Sequence, residues 1–218
     1  MDYAHFDTSD GERKTPTFKF NRPHISSELQ RLRESAFKRS IPTADDETLQ
    51  FLVTFLGALQ PKNILELGSA IGISGIAMLN VCPEAHLTTV EKNIQFFEEE
   101  RNNFKCFGVD MRVNAINGDA GEVIDMLSGA YDFIFMDCAK VQYIKYLPKL
   151  KKLLSRGGAL LADDVLLFGW VTGEAEIPQK RKMLASHICE YVQAVTNDKE
   201  LCTTIINIGD GLALSVKK

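Results

Sequence analysis

Residues 64–75 read ILELGSAIGISG: a short run, apolar except for Glu66, then a glycine turn, then the start of an apolar helix. Such a run is a buried strand that hands the chain to a turn and a helix, the place where open α/β sheets bind ligands beyond the carboxyl ends of their strands. The glycine positions are informative by what they omit. A dinucleotide fingerprint G-x-G-x-x-G ending on Gly72 and Gly75 needs glycine at position 70, where the backbone must approach a pyrophosphate closely; Ala70 puts a Cβ there. No G-x-x-x-x-G-K-[ST] occurs, so a nucleoside triphosphate finds no phosphate loop. Taken alone, the stretch fits either a ligand turn that avoids phosphate or a tight strand-to-helix turn with no ligand.

Outward from this turn, short apolar runs at 64–67, 87–90, 133–136 and 159–162 alternate with longer helical stretches. Ile94, Phe97, Phe104 and Phe107 mark a helix after the second run, and Tyr143, Leu147, Leu150 and Leu154 mark another before Gly157 and Gly158. Right-handed crossovers then give an α/β fold, a Rossmann-like, mostly parallel twisted sheet between Lys62 and Ala162. The end differs: CTTIINI and LALSV flank the turn GDG at 209–211 and predict a C-terminal antiparallel hairpin. Toward the N-terminus, Ile25, Leu29, Leu32 and Ala36 predict an amphipathic helix whose other face carries Arg31, Arg33, Lys38 and Arg39. Asp45 and Asp46 cap a second N-terminal helix through Leu49, Leu52, Val53 and Leu56, stopped by Pro61. Residues 1–24 contain Pro16 and Pro23 without a period, and predict a disordered arm ahead of a single domain at 25–218.

With 218 residues, 45% of them hydrophobic and 25% charged, the chain can bury the core of one domain. Lys plus Arg number 25 against 29 Asp plus Glu, a net charge of −4 that excludes a wholly basic nucleic-acid coat and makes DNA an unexpected partner, while leaving room for local basic patches. No run approaches the roughly 18 apolar residues of a membrane span, and MDYAHFDTSD lacks the basic and apolar regions of a signal peptide. The expected location is cytoplasmic. Five cysteines, at 82, 106, 138, 189 and 202, show no CxxC spacing and no companion histidines, which disfavours a disulfide scaffold and a structural zinc site. Neither Ser69 nor Ser74 lies in G-x-S-x-G, so a hydrolase has no nucleophile.

Acids stand where a ligand would meet them. Glu91 ends LTTVE, a position from which carboxylates grip a ribose diol, although a glutamate opening the next helix is also an ordinary solvated acid. Asp137 follows FIFM, and Asp163 and Asp164 follow ALLA, so all three leave strands on the ligand side. Oxygen ligands without nearby His or Cys suit a hard cation such as Mg²⁺; acids at these points are also frequent helix caps.

ELGSAIGIS, TVEKN, GDAGEVI, YDFIFMDCAK followed by QYIKY, RGGALLADDVLLFGWV and the terminal GDGLALSVKK together resemble the metal-dependent class I O-methyltransferases, the group of the caffeoyl-CoA and catechol enzymes, from about residue 25 onward. The resemblance implies S-adenosylmethionine as cofactor, a sulfonium without phosphate, in agreement with Ala70. It places Glu66, Gly68, Ser69 and Gly72 in the loop that approaches the methionine part. Ser74 and the backbone near Ala44 would hold the methionine carboxylate, Glu91 the ribose, and Gly118, Asp119 and Ala120 the adenine. It assigns Asp137, Asp163 and Asp164 to Mg²⁺, with Asp137 also beside the cofactor. Lys140, three residues after Asp137, would accept or steer the acceptor's proton; read without the resemblance, it is a surface lysine balancing acids. One departure stands out, because the relatives commonly carry Asp-Asn where this chain has Asp163-Asp164. A second carboxylate about 4 Å from a substrate oxyanion opposes it by roughly 4 kcal/mol at an effective dielectric of 20, so Asp164 is expected to be protonated, hydrogen-bonded or turned away, or else to alter activity or metal choice.

Within that group the chain most resembles the bacterial tRNA 5-hydroxyuridine methyltransferases, through its short length, the stretch D-x-A-K-x-Q-Y and the ending G-D-G-L-A-hydrophobic-S. This implies a tRNA partner and a homodimer. Basic segments at Arg31, Arg33, Lys38 and Arg39 and at Lys180, Arg181 and Lys182 could meet an RNA backbone, or simply be solvated helix faces. The competing acceptor is a small catechol-like hydroxylated aromatic, for which Phe168 and Trp170 could stack on a planar ring or equally pack in the core. A protein that binds S-adenosylmethionine without catalysis and a nicotinamide dehydrogenase are the remaining alternatives, the latter disfavoured by Ala70.

Overall fold

The computed structural model describes residues 23–218, so the expectation of a disordered arm falls, up to residue 22, outside the described residues. Pro23 and His24 lie outside any helix or strand, and the His24 amide donates to Gln50 Oε1 at 2.7 Å. Two capped helices follow. Ser26 accepts from the Leu29 amide at the head of α1 (Ser27–Lys38), and Asp45 accepts from the Thr48 amide at 2.7 Å at the head of α2 (Asp46–Leu59).

From there strands and helices alternate: β1 (Asn63–Leu67), α3 (Ile73–Val81), β2 (His86–Glu91), α4 (Ile94–Cys106), β3 (Val113–Asn117), α5 (Ala120–Met126), β4 (Tyr131–Met136), α6 (Tyr143–Leu153), β5 (Leu154–Ala162), α7 (Lys182–Asn197), β6 (Leu201–Ile206) and β7 (Leu212–Lys217). One seven-stranded sheet runs in the order β3-β2-β1-β4-β5-β7-β6, parallel through β5 and antiparallel where β7 meets β5 and β6. β2 lies on one side of β1 and β4 on the other, so the chain reverses its direction of growth beside β1 and leaves a crevice at the strands' carboxyl ends.

Each face of the sheet has its own core. Ile64, Phe133, Phe135 and Leu161 bury on the side covered by α2, α3 and α4, while Leu65, Leu67, Ile134, Met136 and Leu160 bury on the side of α6 and α7. The near-continuous apolar runs follow, because a parallel strand buried on both faces has no polar side to show. β3 was not expected from the sequence. Its residues VNAIN are half-buried at best on the sheet's edge, and its asparagines break the apolar run. β5 also starts earlier than expected, directly after α6, with a register shift opposite Tyr131 and Phe133 that takes up the Gly157-Gly158 pair. Among the described residues no helix is long and apolar enough to cross a membrane.

Candidate active site

The turn after β1 is built by close backbone approach. Gly68 has φ +90°, and a Cβ there would lie 2.2 Å from the carbonyl oxygen of Asp137, so the loop crosses the end of β4 only as glycine. Ala70 takes φ +47° despite its Cβ, and its amide donates to Glu91 Oε2 at 2.9 Å. The Asn93 amide holds the other oxygen of Glu91 at 2.6 Å. Both oxygens are thereby fixed in place, with lone pairs left for further donors.

A cavity of about 350 Å³ opens at this point, lined by the turn, by Ala44, by Glu91, by Gly118 to Ala120 and by Asp137 to Lys140. Gly68, Ser69, Ser74, Glu91, Gly118, Asp119, Ala120, Asp137, Lys140 and Ala44, all expected at the site, meet on its wall. The Ala44 carbonyl is already occupied by Arg33 Nη2 at 3.0 Å. Asp119 caps α5 through the Gly121 amide and pairs with Lys92 at 2.9 Å, and these bonds, Lys92's first, hold its carboxyl below the usual range.

Two expected cofactor residues do not reach the wall. Gly72 heads α3 with φ +84°, and the space its missing side chain leaves faces Phe104 and Glu100 of α4. Glu66 is fully buried behind the loop and accepts the hydroxyls of Ser74 and, at 2.8 Å, of Thr89. Burial pushes its carboxyl up to about 7 against the lowering effect of those two hydroxyls.

The three aspartates expected on a metal are divided. Lys140 Nζ bonds Asp137 Oδ1 at 2.7 Å and Asp164 Oδ2 at 2.8 Å. Asp163 turns inward instead, where its Oδ1 accepts from the Asp164 amide at 2.8 Å and faces Thr48 Oγ1 at 3.4 Å. Burial first, then Asp137 and Asp164, push the Asp163 carboxyl well up from its ordinary value. Among the described residues no three His, Cys, Asp or Glu side chains converge as a metal-holding group; of the three expected aspartates, Asp137 and Asp164 meet on Lys140 while Asp163 faces inward. The donor chemistry still suits a hard cation, since two carboxylates already meet on one positive atom. Burial works against the Lys140 ammonium, but Asp137 and Asp164 outweigh it and raise its pKa, so Lys140 here is a charged donor. Burial and Asp137 push the thiol of Cys138, on the same wall, up to about 12, which disfavours its thiolate.

Asp164, Leu167 and Phe168 all adopt positive φ in the loop that follows β5. Phe168 is exposed and meets Trp170 edge to face at 5.3 Å, while Trp170 packs partly onto the core. The GDG turn fastens this loop: the amides of Val165 and Leu166 donate to the carbonyls of Gly211 and Asp210 at 2.9 and 2.8 Å.

Residues 22–218 match the model of a family described as O-methyltransferase. The chain belongs to this family. It is 30% identical to the tapetum-specific methyltransferase 1 of Arabidopsis thaliana over 199 residues, covering 85% of this chain and 84% of that one. It is 28% identical to a caffeoyl-CoA O-methyltransferase of Populus kitakamiensis over 207 residues, covering 88% and 87%. A candidate caffeoyl-CoA O-methyltransferase from Staphylococcus aureus superposes with TM-score 0.80 at 31% identity, over 88% of this chain and 93% of that one. The fold also matches a Podospora anserina methyltransferase with TM-score 0.81 at 24% identity, over 91% of each chain. This chain is thus an O-methyltransferase, similar over most of its length to caffeoyl-CoA O-methyltransferases.

Sequence reasoning missed part of the O-methyltransferase's cavity wall. Phe96 and Tyr146 line it, yet each falls in a helical apolar stripe that reads as core. Glu100, bonded to Ser69, was missed as well, because an acid among EEE at 98–100 reads as solvent-facing.

Proposed function

We propose that this enzyme transfers the sulfonium methyl of S-adenosylmethionine to the 5-hydroxyl of 5-hydroxyuridine in tRNA, giving 5-methoxyuridine. The observation that carries the RNA acceptor is the run Lys180, Arg181 and Lys182. All three are exposed, free of ion pairs among the described residues, and lie where α7 begins; α7 packs on the turn that bears Lys140. The other basic segment supports it less. Arg31 pairs with Glu28, Arg33 is buried on Asp46, and Arg39 pairs with Glu99, which leaves α1 largely neutralised.

In this reading Glu91, fixed by two backbone amides, receives the ribose hydroxyls, and the loop from Gly68 to Ser74 receives the methionine part. Asp137 and Asp164 are the side chains that would hold a divalent cation such as Mg²⁺, which when bound lowers the pKa of an acceptor hydroxyl and leaves the transfer to be governed mainly by positioning. Lys140 Nζ holds the two carboxylates facing one point, the place such a cation would take. Asp164 meets the departure from Asp-Asn by being hydrogen-bonded to Lys140, one of the outcomes its charge demands.

Nucleoside mass spectrometry of tRNA from cells lacking the protein, followed by transfer to that tRNA in vitro, tests the acceptor; loss of 5-methoxyuridine and its restoration are expected. A second reading, a small catechol-like diol, is favoured by the exposed Phe168 ring on the loop that begins at Asp164. Unaltered tRNA with rapid methylation of catechols would select it. Excess EDTA should abolish transfer, as should Asp137→Ala, whereas Asp164→Asn should keep or raise it. The homodimer belongs to the same proposal, and light scattering at twice the chain mass is expected.

A further inference from the structure

One carboxyl at the back of the cavity has no part in methyl transfer. Glu100, on α4, is fully buried, and its Oε2 receives the hydroxyl of Ser69. Its Oε1 is buried without a hydrogen-bond partner. The charged groups acting on it are Glu66 from β1 and Glu91 from β2, both acidic, while Gly72 of the loop and Phe104 of its own helix close in around it. A carboxylate so placed, short of donors and beside like charges, is costly to ionise. Burial accordingly pushes the Glu100 carboxyl up to about 8, with the Ser69 hydroxyl opposing and Glu66 adding to the rise.

Ser69 stands between this buried acid and the cavity, whose wall it lines. A serine hydroxyl has one proton and two lone pairs. When Glu100 is ionised, Ser69 must spend that proton on Glu100 and shows the cavity only lone pairs. When Glu100 is protonated, its own O–H donates to Ser69 Oγ, and the serine proton is released toward the cavity.

We infer that Glu100 is a positioning residue which, through Ser69, sets whether the cavity wall offers a donor or an acceptor to the methionine end of the cofactor. The inference rests on the S-adenosyl reading of the cavity. The methionine end carries an ammonium, which needs acceptors, and a carboxylate, which needs donors; the wall already offers carboxylate oxygens on Glu91 and Asp137, so a donor is what it lacks, and the protonated Glu100 is the form that supplies one.

The test is calorimetric titration of S-adenosylhomocysteine into the full-length wild type, Glu100→Gln and Ser69→Ala from about pH 6 to about pH 9. A glutamine amide keeps a donor on Ser69 at every pH. Glu66 titrates within the same range in wild type and Glu100→Gln alike, so the ratio of the two isolates Glu100. Equal affinities are expected at about pH 6, with wild type falling about tenfold below Glu100→Gln by about pH 9, the step that a single proton imposes one unit above its pKa. Ser69→Ala removes the relay, and its profile should lack that step. Superimposed wild-type and Glu100→Gln profiles, with the probe bound, overturn the inference and leave the cofactor reading standing. No binding to wild type at any pH overturns both. Should Glu100→Gln fail to fold, a wild-type-sized step retained in Ser69→Ala overturns the inference, and its loss supports it.

Discussion

A methyl group at position 68 would sit 2.2 Å from the Asp137 carbonyl oxygen, on a residue whose φ of +90° already disfavours any side chain. Gly68→Ala should therefore move the loop off β4 and cost about 1–3 kcal/mol. Titration with S-adenosylhomocysteine should then show affinity lowered by about tenfold or more, with the far-ultraviolet circular dichroism unchanged. Glu66 offers a second prediction, on stability. Its folded pKa, about 7, lies above the ordinary 4.5, so the folded state holds the proton more tightly than the unfolded one. Stability from this group is thus full below pH 4.5 and drains away as pH rises toward 7. Relative to Glu66→Gln, wild type should lose roughly 1.4 kcal/mol per pH unit across that window in urea titrations; parallel curves would refute it. Residues that end strands, such as Glu91 and Asp137, were legible because strand ends face the crevice whatever the packing. Glu100 was not, since its burial depends on how α4 turns against the loop.

Among the elements, the C-terminal hairpin has the least obvious tie to the site. Its GDG turn reads from sequence as a tight connection and nothing more, yet a Cβ on Gly209 would fall 2.1 Å from Asp45 Oδ2 and one on Gly211 2.2 Å from Leu166 Cγ. The turn is thus wedged between the cap of α2 and the aromatic loop after β5. Gly211→Ala should loosen residues 165–168, lowering turnover about tenfold or more while cofactor affinity stays within about twofold; 1–3 kcal/mol of strain is the scale involved. An equal loss in both quantities would show that the turn supports the whole fold and not this loop. Sequence patterns revealed the buried strands because burial on two faces leaves an apolar run, and revealed α1 through its apolar spacing and α2 through its cap and spacing. β3 escaped because an edge strand with asparagines at 114 and 117 carries no such run, and the division of the three aspartates escaped because pairing with Lys140 is a choice made in three dimensions.

For the molecule as a whole, a net charge of −4 gives no reason to expect a polyanion as partner, so RNA binding must come from asymmetry. α1 and its C-cap Arg39, which together carry four basic residues, contribute little of it, with three arginines paired to acids. The exposed run at 180–182 is left as the main source near the site. Each phosphate contact releases counterions and adds close to 0.9 to the slope of log affinity against log salt on a duplex, or about 0.7 on a single strand. Replacing Lys180, Arg181 and Lys182 together by alanine should therefore flatten that slope by roughly 2–3 in tRNA binding measured between about 50 and 200 mM salt. Affinity for S-adenosylhomocysteine should not change, because none of the three lines the cavity. An unchanged slope with normal methylation of tRNA would place the RNA track on another face, whereas no tRNA binding by wild type at any salt concentration would leave the small hydroxylated aromatic as the acceptor.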